Sequence, residues 1–459
     1  MPALLDTPQG WTRVTLAAAG RYDPEAGRRD PAAGLAAAEQ AGAWSAWRQA
    51  LAGTPDDLLT LVARAALRGR GGAGYPTADK WRAARLSDDP ERIVVANGIE
   101  ADPGAFVDRT LMELDPHAVV EGTALAALAI GATRAYIAVK ADYSTAVERL
   151  RAAVAAAEDA GYIGPNAMDR GFDLQIEVRP LQGAFVLGEE TVLLHALQSD
   201  RGMPDQRPPF PSARGLDGHP TVVNNVETLA SVPWIVRNGP EAFAAAGRGG
   251  LAGTKLVQLA GSVSRAGVAE VPMGTPLREI LDVAGGGMPA GRTLKALLVG
   301  GPAGGFLPPA ALDTPLDPAA LADAGAIVGS GQILVVDDRA CIVELGRLME
   351  RFMSDESCGK CVPCRIGTRR LFEIATRATS GRPRPTDPDL LLSLSADVRD
   401  GSLCGHGILA PNPLTSGMRY FRAEYDAHFA GTCPAGVCHP LRVAPVAGVG
   451  VPVTPDTHG

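Results

Sequence analysis

The chain has 459 residues and a net charge of -8, with 46% apolar and 20% charged residues. That balance offers no basic surface for nucleic acid or an anionic membrane, and no apolar run approaches the ~20 residues of a bilayer span. A chain this long exceeds one compact core, so two to four domains are expected. The start, Met1-Pro-Ala-Leu-Leu, lacks the basic and apolar regions of a secretory leader. A cytoplasmic location is expected, at the periphery of a membrane complex where partner subunits supply the anchor.

Residues 1–60 are Ala-rich and read as a partly helical extension. Next comes Arg68-Gly-Arg-Gly71-Gly72-Ala-Gly74-Tyr75-Pro76, followed by Lys80-Trp81. Glycines let a backbone approach a ligand, and their N–H groups can cradle a phosphate. No apolar strand runs straight into this loop, so it is not a standard dinucleotide fingerprint, and a plain turn is the ordinary alternative. Arg92–Asn97 and Ala135–Lys140 read as strands. Pro116–Ile130 and Ser144–Ala160 read as helices, the second with Ser144 as its cap. Strands alternating with helices predict an α/β layer with parallel strands.

Three further segments carry polar groups. They are Asn97-Gly-Ile-Glu100-Ala-Asp102-Pro-Gly104, Gly183-Ala-Phe185-Val-Leu-Gly188-Glu189-Glu190 and His219-Pro-Thr-Val-Val-Asn224-Asn225-Val-Glu227-Thr228. Each alone reads as a capped turn or a solvated face. Residues 250–335 read as a small β-rich domain with one helix near Pro276–Ala284. From about Ala340 to Phe429 the pattern is helical, and Pro440–Gly459 reads as an extended tail.

All seven cysteines lie at or beyond Cys341. Disulfides are uncommon in cytosolic proteins, which favours metal ligation. Cys358, Cys361 and Cys364 form a C-x2-C-x2-C run that can hold three irons of one cubane, with Cys404 as the fourth ligand. A zinc site is the alternative, but zinc knuckles usually pair their cysteines. Cys341, His428, Cys433 and Cys438 have the composition of a tetrahedral zinc set, with His439 as an alternative ligand. Free buried thiols fit the same spacing.

Together these segments resemble the flavoprotein subunit of respiratory complex I, the NADH-binding 51-kDa type. Related subunits occur in NAD-linked hydrogenases, formate dehydrogenases and bifurcating complexes. The resemblance runs from about Ala43 to Pro440. It implies an α/β multidomain chain: a helical extension (1–60), a Rossmann-like FMN/NADH domain (61–243), a ubiquitin-like β-grasp domain of the SLBB type (244–335), a helical bundle holding a [4Fe–4S] cluster (336–440) and a tail (441–459). By resemblance, FMN lies against Gly71, Gly72, Lys80, Asn97, Glu100, Gly188, Glu189, Asn224 and Asn225. NAD(H) meets Tyr75, Asp102, Glu190, Arg207 and Phe210. The second Cys/His set resembles a zinc site of the bifurcating-hydrogenase branch.

The function implied is electron transfer between NAD(P)H and a [4Fe–4S] cluster through FMN, with no catalytic side chain required. The chain would act as a diaphorase-type dehydrogenase subunit. Implied partners are a thioredoxin-like [2Fe–2S] subunit and a catalytic or cluster-rich subunit. The family usually has a Lys where Arg207 stands, an acid at Ile99, a Tyr at Phe185 and an aromatic at Ala83. A subunit that kept the cluster but lost nucleotide oxidation is the rival expectation.

Overall fold

The computed structural model describes residues 3–438. Its first sheet is built from β1 (Ile93–Gly98), β2 (Arg134–Lys140), β3 (Gln175–Leu181) and β4 (Thr221–Asn225), in the order β3-β2-β1-β4. All neighbours are parallel. Ile93-Val-Val-Ala96 is buried on both faces, which is why this strand reads as an unbroken apolar run rather than an alternating one. The order reverses between β1 and β4, so a crevice opens at their carboxyl ends. Asn97 pairs with Asn225 there, and Ala96 with Asn224.

The helix Pro116–Ile130 has the bounds expected from sequence. Asp115 caps it by accepting Ala118 N at 3.1 Å, Pro116 opens it, and Gly131 at φ 74° stops it. A Cβ on Gly122 would stand 2.1 Å from Leu229 O, so this helix meets Val226–Asn238 backbone to backbone. The expected cap at Ser144 is corrected. Tyr143 is the N-cap of Ser144–Asp159, and no side chain caps that end.

A second sheet contains β5 (Thr254–Gly261), β6 (Gly267–Pro272), β7 (Leu294–Val299), β8 (Gly305–Leu307) and β9 (Gln332–Asp337). Its order is β6-β5-β9-β7-β8, with β5 and β9 parallel and the other pairs antiparallel. The helix expected near Pro276–Ala284 is a turn, Leu277–Glu279, running into a wider π-turn, Ile280–Ala284. A second helix, Pro318–Asp323, is unexpected from sequence. Beyond β9, helices Ile342–Asp355, Arg369–Thr379, Asp387–Gly401, Asn412–Tyr420 and Arg422–Phe429 form the bundle.

Buried polar groups join these units. Lys255 on β5 and Glu227, at the start of Val226–Asn238, are each 1% exposed and bond directly. Lys255 Nζ also donates to Ser330 O at 3.1 Å. The N-terminal extension is tied to the second sheet, not only to the first. Leu5 N donates to Val268 O at 2.8 Å. The Glu270 carboxylate accepts Val14 N and Thr15 N at 2.8 Å and Leu16 N at 2.9 Å. Removing it strands three backbone donors, each costing roughly 1–3 kcal/mol when buried. Glu270→Ala is therefore expected to lower stability by about 3 kcal/mol or more. It should also expose the segment before Gly20 to proteolysis, with urea midpoints and cleavage mapping as the checks. Unchanged values would mean that water replaces the carboxylate.

Candidate functional site

The glycine loop follows the helix Pro55–Arg64 and opens the helix Thr77–Arg85. A Cβ on Gly71 would lie 2.9 Å from Asn225 Cβ. Only a glycine lets the loop settle on the end of β4. Gly72 has φ 129°, in the region that favours glycine, and faces the backbone of Gly329. Arg70, which sequence alone does not single out, pins the loop from behind: its N–H donates to Thr228 Oγ1 and its Nη2 to Ala252 O, both at 2.8 Å. Burial lowers its pKa to about 10.

Asn225 ties the end of β4 to three neighbouring segments. Its Oδ1 accepts Glu227 N at 2.9 Å and so caps the following helix. Its Nδ2 donates to Asp108 Oδ2 at 2.6 Å and reaches Asn97 O at 3.4 Å. Asn97 Nδ2 donates to Gly188 O at 3.0 Å, which holds the Gly183–Glu190 loop over the crevice. Asn224 points elsewhere. It is buried and accepts the Trp81 indole N–H at 2.7 Å, so it braces the lysine-bearing helix instead of lining the crevice.

Lys80, Glu190, Arg207 and Glu189 form one chain. Lys80 Nζ donates to Glu190 Oε2 at 2.8 Å and to Val223 O at 3.0 Å. Arg207 bonds Glu189 and lies 3.0 Å from Glu190 Oε1. Glu189 caps the helix Glu190–Leu197 by accepting Thr191 N and Val192 N. Asp102 accepts Ser330 Oγ across the seam with the second sheet, and burial raises its pKa. Tyr75 and Phe210 are each 54% exposed, as free aromatic faces at the rim.

Glu100 is turned inward. Its φ is 42°, and its carboxylate accepts Asp108 N at 2.8 Å and Arg109 N at 3.0 Å. It thereby supplies the cap that the helix Val107–Leu114 lacks at Phe106. Burial pushes its pKa up to about 7, from an ordinary 4.5. Burial, then the nearby Glu100, raises Asp108 as well.

The four expected cluster ligands sit beside this wall. Cys358 and Cys361 lie on the turn after Ile342–Asp355, and Cys364 is the second residue of the π-turn Pro363–Thr368. Cys404 stands at the N-terminus of the short helix Gly405–Leu409. Burial raises its pKa, and the N–H groups of His406 and Gly407, facing its sulfur, oppose that rise by favouring the thiolate. A Cβ on Gly407 would stand 2.9 Å from Cys364 Cβ, so this glycine lets the two ligand segments meet. Burial pushes the Cys364 thiol up to about 12, which leaves it protonated until a metal takes the proton's place. Cys358 packs on the apolar group that includes Ile99, Val186, Leu187 and Val223, two of the crevice loops contributing to it. Three thiols on one turn, with a fourth at the start of a neighbouring helix, fit a cubane.

Cys341, His428, Cys433 and Cys438 converge more tightly. All are buried, and their ligand atoms lie within 4.8 Å of one another. His428 Nδ1 donates to Glu424 O at 2.7 Å, which leaves Nε2 facing Cys341 Sγ at 3.3 Å. The bond to Glu424 fixes the tautomer a metal ligand needs. His439 lies outside the described residues.

Glu100 yields a test. Between about pH 4.5 and 7 the folded chain binds more protons than the unfolded one at this carboxyl. Stability should therefore fall as pH rises through that window. Glu100→Gln is expected to remove about 2–3 kcal/mol of that pH dependence, read from urea midpoints near pH 5 and 7. An unchanged slope would show that Glu100 is already ionised in the fold.

A family model for the Nuo51 FMN-binding domain matches residues 62–234. The SLBB domain model matches 256–307, and the NADH-ubiquinone oxidoreductase-F iron-sulfur binding region matches 344–428. The chain is 45% identical over 389 residues to the NADP-reducing hydrogenase subunit HndC of Solidesulfovibrio fructosivorans, covering 84% of this chain and 79% of that one. It is 40% identical over 383 residues to a subunit of the NADH-quinone oxidoreductase of Escherichia coli, covering 83% and 86%. A solved NAD+-reducing [NiFe]-hydrogenase superposes with a TM-score of 0.77 at 36% identity, over 84% of this chain and 64% of that longer one. The chain thus carries an FMN-binding domain, an SLBB domain and an iron–sulfur binding region. It belongs to the family of flavin- and iron–sulfur-binding subunits shared by NADH-quinone oxidoreductases and nicotinamide-linked hydrogenases.

Proposed function

We propose that the chain is the NAD(P)H-oxidising, or NAD(P)+-reducing, flavoprotein subunit of a larger redox complex. The observation that supports this reading is that Cys358 packs on the apolar group to which Ile99, Val186 and Leu187 belong, the group beside the loops that carry Asn97 and Gly188. Bound FMN supplies the chemistry that joins two-electron hydride transfer to one-electron transfer. The chain's own residues orient and shield the reactants. Gly71, Gly72, Asn97, Gly188 and Asn225 offer backbone and amide contacts to the flavin, and Lys80 and Glu189 offer charge. Glu100 and Asn224 support it indirectly, through the helix Val107–Leu114 and through Trp81.

Tyr75 and Phe210 offer aromatic faces to the nicotinamide nucleotide. Arg207, held by Glu189 and Glu190, faces its pyrophosphate, and Asp102 borders the site from the β-grasp side. No helix among the described residues is long and apolar enough to cross a membrane. We place the chain in the cytoplasm, with a thioredoxin-like [2Fe–2S] partner and a catalytic or cluster-rich partner. The test is an anaerobic absorbance titration with NADH, then NADPH, then dithionite. Bleaching of the flavin by either nucleotide is expected. Reduction by dithionite alone would leave a relay or scaffold subunit.

Zinc is proposed at Cys341, His428, Cys433 and Cys438, where it would tie the end of the helical domain to its start. About one zinc per chain is expected by metal analysis, beside the iron. Cys433→Ser should lower that zinc content while iron and acid-labile sulfide are kept. Full zinc in the variant would refute the assignment.

A further inference from the structure

Lys360 stands between Cys358 and Cys361, yet its side chain leaves the cluster loop. Its Nζ donates to Pro204 O and lies 3.8 Å from Asp205 Oδ1. Asp205 is itself anchored. Its N–H donates to Thr191 Oγ1 at 2.9 Å, and its Oδ2 faces His195 Nε2 at 2.9 Å. Two residues further on, Arg207 reaches Glu189 and Glu190. Phe210 stands on the same loop, half exposed. A second tie runs parallel: Glu356 Oε2 accepts Phe185 N, at the start of the turn that leads to Glu189. The cluster loop therefore holds both walls of the rim where the nucleotide is placed.

We propose that Lys360 is a positioning residue that makes nucleotide affinity depend on the charge of the cluster. This rests on the nucleotide site proposed above. Reduction adds one negative charge to the group that Cys358 and Cys361 would ligate. Lys360 is a cation on the ligand loop itself, between two of those cysteines, and its ammonium is shared with Pro204 O and Asp205. A more negative cluster draws the ammonium back, so the hold on the 204–210 loop weakens. Arg207 and Phe210 then grip the nucleotide less well. In the oxidation direction this releases the oxidised nucleotide once electrons have moved on to the cluster.

The test uses the full chain loaded with flavin and cluster, and ADP-ribose, which fills a nucleotide site without hydride transfer. Its dissociation constant is measured with the protein oxidised and with it reduced by dithionite. Wild type should bind at least threefold more weakly when reduced. Linkage then requires ADP-ribose to lower the cluster midpoint by the same factor, about 28 mV for one electron. Lys360→Met should abolish both effects, and Lys360→Arg should retain them. Asp205→Asn leaves the ligand loop intact and should weaken them. Amide exchange in residues 201–210 should quicken on reduction in wild type but not in Lys360→Met. A redox dependence that survives in Lys360→Met overturns the proposal. So does a variant whose midpoint changes while its response to ADP-ribose is kept. Binding to wild type that ignores redox state sinks this inference alone, whereas no binding in any state sinks the dehydrogenase reading with it.

Discussion

The end of β4 is where the constraints on this molecule meet. Asn225 ends a parallel strand, caps the next helix, binds Asp108 and supports the glycine loop, all with one short side chain. An aspartate there could not donate to Asp108. A longer amide could not cap the helix and still let Gly71 approach. The crevice is therefore shaped before any ligand enters it. Such preorganisation matters for a flavin, because the protein's contribution is orientation and electrostatics.

Buried charge extends that order to the other domains. Glu227 sits two residues beyond Asn225 and pairs with Lys255 of the β-grasp sheet in a site closed to water. A pair of this kind is weak evidence for net stability, but it resists rearrangement: breaking it leaves an uncompensated buried charge, at roughly 3–5 kcal/mol. Lys255 also reaches Ser330 O, and Ser330 Oγ reaches Asp102. The loop that carries Asp102 is thus tied to the β-grasp domain by polar contacts, through Ser330 and also through Gln258, which donates to Gly104 O, beside the buried Lys255–Glu227 pair.

Local signals are legible in the sequence, and distant ones are not. The cluster cysteines can be read because three of the four share one turn. The helix Pro116–Ile130 announces itself through Asp115, Pro116 and Gly131. Ser144 misleads, because the helix begins one residue earlier, with Tyr143 at the cap position and no side chain bonded to that end. Strands β8 and β9 escape notice: one has three residues, and both pair only with segments that pattern alone does not connect to them. The strap held by Glu270 is invisible for a similar reason, its partners lying some 255 positions away. Glu100 and Asn224 are recognisable as polar residues in the right loops. Pattern alone does not show that one faces a helix end and the other an indole.

The residues that depart from the family pattern are best understood from the side of the cluster. Ile99 is 2% exposed and shares an apolar group with Val186, Leu187 and Val223, on which Cys358 packs. An unpaired carboxylate in that position would be costly to bury. Phe185 lies edge-on to Phe352 at 5.3 Å and beside His406 at 5.4 Å, between the crevice loop and the helices that carry the ligands. A tyrosine hydroxyl would need a partner there if it were buried. Both side chains supply apolar packing towards the iron–sulfur domain, and the amide contacts of the crevice stand beside them. On the opposite wall Lys80, Glu190 and Arg207 form a single bonded array, so the charged side of the crevice is ordered independently of this apolar join.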